Sequence, residues 1–130
     1  MFIETPKTSV AKSAEETFNF LSDLANFEKL MPENIDKFEV LNENRFLFAL
    51  KGMPEIVLEK KDQIPHSMLI LGAASEKLPF TLTAAITPLG STSSEVVLSF
   101  AGEFNAMMAM MIKNPITNFI NTLSDNLGKI

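Results

Sequence analysis

The sequence predicts an α+β domain, a curved antiparallel sheet of seven strands wrapped around one long carboxy-terminal helix, with two short helices between the first and second strands. Three observations carry this. Between Ile35 and Phe104 apolar residues recur with a period of two, the spacing of half-buried strands. After Glu103 the period becomes helical, and Ile112, Ile116, Phe119, Ile120, Leu123 and Leu127 share one face. Upstream of both, Ser13-Ala14-Glu15-Glu16 has the spacing of a helix capping box.

The segment from Phe2 to Ala11 holds β-type residues interrupted only by Pro6, which a ladder tolerates at an edge or bend, and supplies the first strand. In the capping box the Ser13 hydroxyl accepts from the Glu16 amide while the Glu16 side chain reaches back, and both acids suit the positive end of the helix dipole. Phe18, Leu21 and Leu24 then form an apolar stripe with Ala14 and Ala25 beside it. A second short helix, from about Asn26 to Leu30, is stopped by Pro32. Further on, Phe38 and Val40 alternate with Lys37 and Glu39, and Phe46, Phe48 and Leu50 with Arg45, Leu47 and Ala49. Phe80, Leu82, Ala84 and Ile86 alternate with Thr81, Thr83, Ala85 and Thr87. Turn chemistry divides this region at Asn42-Glu43-Asn44, Lys51-Gly52-Met53-Pro54, Ile64-Pro65-His66, Ser75-Glu76-Lys77 and Pro88-Leu89-Gly90-Ser91. Five turns imply six strands, each antiparallel to the next because the connections are short. In the last helix Pro115 predicts a kink, a displaced start or two helical pieces, and Gly128 a cap beyond the end. A sheet with one apolar face and a helix with one apolar face bury each other when the sheet curls around the helix.

Composition bounds the function. One hundred and thirty residues make one domain, 1–130, and 46% hydrophobic against 21% charged residues suit a folded soluble chain. A domain of this size hides roughly two-thirds of its unfolded surface, enough to fold without staples. With no cysteine there is no disulfide, thiolate metal site or cysteine nucleophile. A net charge of −5 argues against nucleic acid as a partner, because counterion displacement needs clustered Lys and Arg. The amino terminus has no apolar stretch to act as a secretory signal, and no window reaches the ~20 apolar residues of a membrane span, so a cytoplasmic location is expected. Residues 1–65 carry eight Lys/Arg and twelve Asp/Glu while 66–130 carry three and four, which assigns more of the buried surface to the second half.

The stretch Val10-Ala11-Lys12-Ser13-Ala14-Glu15-Glu16-Thr17-Phe18-Asn19-Phe20-Leu21-Ser22-Asp23 resembles the strand-to-helix junction of the START-like (SRPBCC, helix-grip) superfamily, with its small residue, cap, Glu, aromatic and closing Asp. This superfamily includes pollen-allergen-like, polyketide cyclase/dehydrase-like and lipid-transfer proteins. Leu30-Met31-Pro32, Leu89-Gly90 and Asn114-Pro115 fit the same pattern, and the resemblance covers nearly the whole chain. It implies a cavity between the concave sheet and the long helix, used for hydrophobic small molecules or, in some members, for catalysis. The superfamily has no universal catalytic motif, so no catalytic residue is carried over. The chain lacks the tryptophan that many members place after the Asp and is shorter than most ligand carriers.

Alternation places Phe46, Phe48, Leu50, Phe80, Leu82, Ile86, Val96, Leu98, Phe100 and Phe104 on the inner surface, with no ionisable residue among them. The candidate ligand-binding residues are accordingly Phe46, Phe48, Leu58, Phe80, Leu82, Phe100, Met108, Met111, Ile112 and Phe119. His66, the only histidine, follows a proline in a turn and reads as exposed, because a catalytic histidine needs partners that orient it. Arg45 points outward by parity, Glu76-Lys77 reads as surface charge, and Glu103 is the carboxylate closest to the pocket mouth. Glu55, Glu59, Lys60, Lys61 and Asp62 read as a solvated outer face. One histidine and no cysteine cannot supply a transition-metal shell, and no phosphate-binding, dinucleotide or nucleophile-elbow motif occurs, so no metal or cofactor is expected. Ala106-Met107-Met108-Ala109-Met110-Met111-Ile112 is apolar all round, which reads as a crossover tucked under loops, as a pliable gate over the cavity, or as a self-association patch. Leu69 and Leu71, opposite in parity to Met68 and Ile70, raise the same option of self-association.

These residues support carriage or sensing of a small hydrophobic ligand without chemistry. Two alternatives stand beside it. A cyclase/dehydrase-like enzyme requires Thr8, Thr81, Thr83, Glu103 or His66 inside the pocket, and a homodimeric interaction protein requires a cavity filled by its own phenylalanines.

Overall fold

Pro6 has no amide hydrogen for a ladder, and the first strand accordingly comes as two pieces, β1 (Phe2–Glu4) and β2 (Thr8–Val10), both paired with the last strand of the sheet. Between them Thr5 substitutes for the ladder: its N–H donates to the Leu98 carbonyl at 2.9 Å and its hydroxyl accepts from the Leu98 N–H at 3.0 Å. The computed structural model describes residues 1–74 and 79–130. The predicted turn at Ser75-Glu76-Lys77 lies outside the described residues, as does the surface-charge reading of Glu76-Lys77.

The capping box forms as expected, with the Glu16 N–H donating to the Ser13 hydroxyl at 3.1 Å, and starts α1 (Ala14–Ser22). The second short helix is a 3-10 helix, Leu24–Leu30, which starts two residues earlier than the sequence suggests. Its buried residues Leu24, Phe27 and Leu30 are three apart, so a three-residue turn puts all of them on one line where an α-turn would splay them.

The meander consists of β3 (Ile35–Asn42), β4 (Arg45–Leu50), β5 (Ile56–Ile64), β6 (Met68–Ala73), β7 (Phe80–Pro88) and β8 (Ser94–Gly102). All pairings are antiparallel, in the order β1-β8-β7-β6-β5-β4-β3 with β2 also on β8, so the described residues form an eight-stranded sheet with β3 at one edge. Two hairpin turns need left-handed backbone, supplied at φ 81° by Gly52 and at φ 70° by His66.

The final helix α2 (Ala106–Leu127) is one continuous run with Pro115 inside it, not two pieces and not displaced. The Asn105 side chain caps its start by accepting from the Met108 N–H at 2.8 Å, and Gly128 closes its end with right-handed geometry, φ −67°. No helix among the described residues is long and apolar enough to cross a membrane.

Side-chain hydrogen bonds tie the layers together. Thr17 on α1 and Ser94 on β8 share a buried hydroxyl pair at 2.8 Å, Thr8 on β2 and Ser124 on α2 share a half-buried one at 2.5 Å, and the Asn126 amide donates to the Leu30 carbonyl at 2.8 Å. Between these ties the sheet's inner face, α1, the 3-10 helix and the second half of α2 enclose one hydrophobic core.

One expectation about β5 is corrected. Lys60 was assigned to a solvated outer face with its neighbours, yet it pairs with buried Leu71 and is half-buried on the inner side, beside Ser22, Leu24 and Val40. Plain alternation from buried Leu58 carries Lys60 inward, and the bulge that follows it resets the alternation so that Asp62 pairs with Ile70 instead.

Candidate functional site

The inner wall is built from the alternating residues of five neighbouring strands. Phe46 and Phe48 on β4, Leu58 on β5, Leu69 and Leu71 on β6, Leu82, Ala84 and Ile86 on β7, and Val96, Leu98 and Phe100 on β8 are all buried. Among the described residues the buried polar side chains are Thr5, Thr17, Ser94 and Ser124, and no charged one is buried.

The deep part of this wall is filled by its own rings. Phe48 stacks on Phe119 of α2 with centroids 5.0 Å apart and planes 4° from parallel. Phe46 lies between Phe27 of the 3-10 helix at 5.2 Å and Phe38 of β3 at 5.3 Å. These offset and stacked arrangements are the favourable ones for aromatic quadrupoles, so the cluster draws sheet and helices together.

Packing changes along α2. From Ile116 onward it buries Ile116, Phe119, Ile120, Leu123 and Leu127, whereas its first ten residues bury none. Ile112 packs against the core only half-buried, Met108 one turn before it is half-buried too, and Met107, Met110 and Met111 are 75%, 83% and 71% exposed. Beneath this half of the helix lie further half-buried apolar groups, Phe80, Phe104, Ile56, Met53 and Ile35. They sit together because β8 ends, and β7, β5 and β3 begin, at the edge where α2 starts.

At this open end Phe80 packs on Phe100 at 4.9 Å, and Phe104 folds back parallel to Phe100 at 6.2 Å. Gly102 permits that fold. A Cβ there would lie 2.6 Å from the Phe104 ring and 2.9 Å from the Phe80 Cβ. Alongside, a cleft of about 340 Å³ runs between the middle of α2 and the β4–β5 turn. Leu50, Met53 and Phe119 give it an apolar floor, while Asn34, Asn114, Asn118 and Lys51 place amides and one ammonium at its rim. Pro115 borders the same cleft, and lacking an N–H it leaves the Met111 carbonyl without its helical donor on that side.

The structure therefore places the ten sequence-derived site residues in three situations. Phe46, Phe48, Leu58, Leu82 and Phe100 lie deep in the packed core; Phe80, Met108, Ile112 and Phe119 border the open end, Phe119 also lining the cleft; Met111 points to solvent. Sequence reasoning did not find Asn34, Lys51, Met53, Asn114 or Asn118, because the first three lie in turns and the two others on the exposed helix face, where alternation carries no information. The one available signal was two amides a helical turn apart, Asn114 and Asn118, flanking Phe119.

The groups an enzymatic reading requires do not converge. Thr81 and Thr83 pair with Gly72 and Ile70 on the outer face, and Glu103 is exposed. His66 sits at a turn with its ring edge-on to Phe18 at 5.8 Å, and Thr8 is held by Ser124. Among the described residues no cluster of His, Asp and Glu is arranged to hold a metal ion.

A larger hollow, about 790 Å³, opens on the other side of the sheet between the β3–β4 turn and the end of β5. Charged side chains border it, and three of them are paired: Glu59 accepts from the Arg45 Nε at 2.7 Å and from the Lys61 ammonium at 2.5 Å. The Lys61 hydrogen bond is the largest cause that holds the Glu59 carboxyl below its ordinary pKa; desolvation, next in size, opposes it, and the Arg45 hydrogen bond and the charges of both cations add to the lowering.

No family model matches the sequence, and no curated protein matches it. Solved structures do. Norcoclaurine synthase from Thalictrum flavum in complex with dopamine and hydroxybenzaldehyde superposes with a TM-score of 0.77 at 14% identity, over 99% of this chain and 84% of that one. A START superfamily protein from Mycobacterium smegmatis gives 0.73 at 14% identity, over 98% and 94%. A Deinococcus radiodurans protein gives 0.66 at 17% identity, over 99% and 93%. At such identities the likeness shows the fold alone, and that fold is START-like helix-grip.

Proposed function

We propose that the protein binds a small hydrophobic molecule, for carriage or sensing and without chemistry, at the open end of the grip beneath the amino-terminal half of α2. The observation that carries this reading is the set of apolar side chains packed against the core yet left half-buried there, Phe80, Phe104 and Ile112, with half-buried Met108 beside them. Burying such surface against a ligand releases roughly 25 cal/mol per Å², and the adjoining cleft at the middle of α2, which these side chains do not themselves line, has about 340 Å³, within the range of small-molecule sites. The methionines suit a rim that adapts to its guest, since their unbranched side chains repack at little cost. The rim amides and Lys51 favour a ligand with one polar end on an apolar body.

Native mass spectrometry on gently purified protein and displacement of an environment-sensitive hydrophobic fluorophore test this. The expected result is a retained or displaceable small molecule, with fluorophore affinity lowered about ten-fold in Ile112→Glu. A protein that retains nothing and binds no displaceable probe would rule the reading out.

A further inference from the structure

The free edge of the sheet carries a pattern unrelated to the ligand site. β3 is eight residues long and among the described residues pairs only with β4, so one of its two sides presents backbone groups that no described strand takes up. Which residues present them follows from the ladder. The Lys60 N–H donates to the Asn44 carbonyl at 2.9 Å, which makes 44 and 60 a hydrogen-bonded pair between β4 and β5. Alternation then turns Phe46 and Phe48 toward β5 and Leu47 and Ala49 toward β3. Phe38, opposite Phe48, therefore directs its own N–H and C=O to the free edge.

Around Phe38 the sequence is charge-complementary to itself when reversed. Lys37 and Glu39 flank it, both exposed on the outer face, and bulges at Ile35/Lys37 and Val40/Asn42 bracket a regular stretch between them. We propose that a second copy of this chain pairs antiparallel with the β3 edge across a two-fold axis at Phe38, joining the two sheets into one. In that register the two Phe38 residues exchange N–H···O=C bonds, and each Lys37 lies opposite the other chain's Glu39. Opposed residues in an antiparallel pair share a face, so both ion pairs form on the outer surface, where Lys37 also keeps Glu55 at 3.2 Å. Val40 and Leu41, 43% and 45% exposed beside the axis, are covered by the same contact. An isologous interface of this kind closes on itself and does not propagate into fibres.

One short strand pair makes a small interface, so the complex dissociates in the micromolar range. Sedimentation velocity on the intact chain over roughly 1 µM to 1 mM reads it directly. The wild type is expected to shift from monomer to dimer across that range. Lys37→Glu and Glu39→Lys each place like charges opposite one another twice, and each should weaken association about ten-fold or more. An equimolar mixture of the two variants restores both opposite-charge pairs and should recover association as a heterodimer, as should the double swap K37E/E39K. Circular dichroism confirms that these surface variants remain folded, and Met110→Lys on α2 should leave the equilibrium unchanged. A wild type that stays monomeric throughout overturns the proposal. So does a dimer indifferent to the charge reversals, or one abolished by Met110→Lys.

Discussion

Phe48→Ala tests whether the deep wall is packed or hollow. Phe48 is 2% exposed, faces Phe119 at 5.0 Å and Phe46 at 6.0 Å, and joins the sheet to α2 and, through Phe46, to the 3-10 helix. Truncation removes roughly 150 Å² of buried apolar surface, about 4 kcal/mol at 25 cal/mol per Å². Lost stacking and an unrelaxed cavity act in the same direction, which keeps the expected cost at about 3–5 kcal/mol. That is a large part of the 5–15 kcal/mol typical of a domain, so the midpoint of urea unfolding should fall sharply with little change in slope. The vacated ring volume should also take up benzene or a similar small apolar molecule, with recovery of part of the lost stability. A loss below about 1 kcal/mol would mean that Phe48 borders empty or solvated space, and the packing argument for the deep wall would fail.

Three further outcomes follow from particular contacts. Thr17→Val leaves the Ser94 hydroxyl buried without its 2.8 Å partner and should cost about 1–3 kcal/mol in chemical denaturation, whereas Thr17→Ser should cost less. Gly102→Ala drives a methyl against the Phe104 ring and the Phe80 Cβ and should cost about 1–3 kcal/mol; a lowered melting temperature with altered ring shifts of Phe104 in NMR would report it. The Glu59 carboxyl should titrate below an ordinary glutamate, and its midpoint in carbon-detected NMR should rise toward the ordinary value in Lys61→Ala and in Arg45→Ala. Because its folded pKa is depressed, whatever stability the triad contributes is present above the ordinary carboxylate pKa and is lost as the pH falls through the depressed one.

The fold was legible where the physics is local. Alternation marked the inward residues of β4, β7 and β8, the hydroxyl and carboxylate of Ser13 and Glu16 marked the start of α1, and the stripe from Ile116 to Leu127 marked the buried half of α2. It failed where a distant partner or a backbone irregularity decides. Pro6 divides the first strand because the Thr5 side chain can replace the missing ladder bond to Leu98, 93 residues away in sequence. Asp62 turns outward because of a bulge that follows the inward Lys60, and the 3-10 turn around Phe27 follows from what its three apolar residues must cover. The site divides the same way: the apolar wall was readable, but the rim of Asn34, Lys51 and Asn114 is assembled from three separate segments.

Periodicity specifies which face is apolar and is silent on how far the helix stands from the sheet. Side-chain volume settles that distance. Where the inner face carries Phe46 and Phe48 opposite Phe27 and Phe119, the rings meet at stacking distance and the gap closes. Where it passes to Phe80 and Phe104, the helix opposite offers Met108 and Ile112, and no aromatic of α2 lies within its first ten residues. The sheet's own rings then stack on one another and leave the helix half-covered. The position of Phe119 along α2 thus separates a closed core from an open end. Moving that ring about two turns toward the amino terminus, by Ile112→Phe with Phe119→Leu, should close the mouth, lower fluorophore binding, and shift the apolar space toward Phe48.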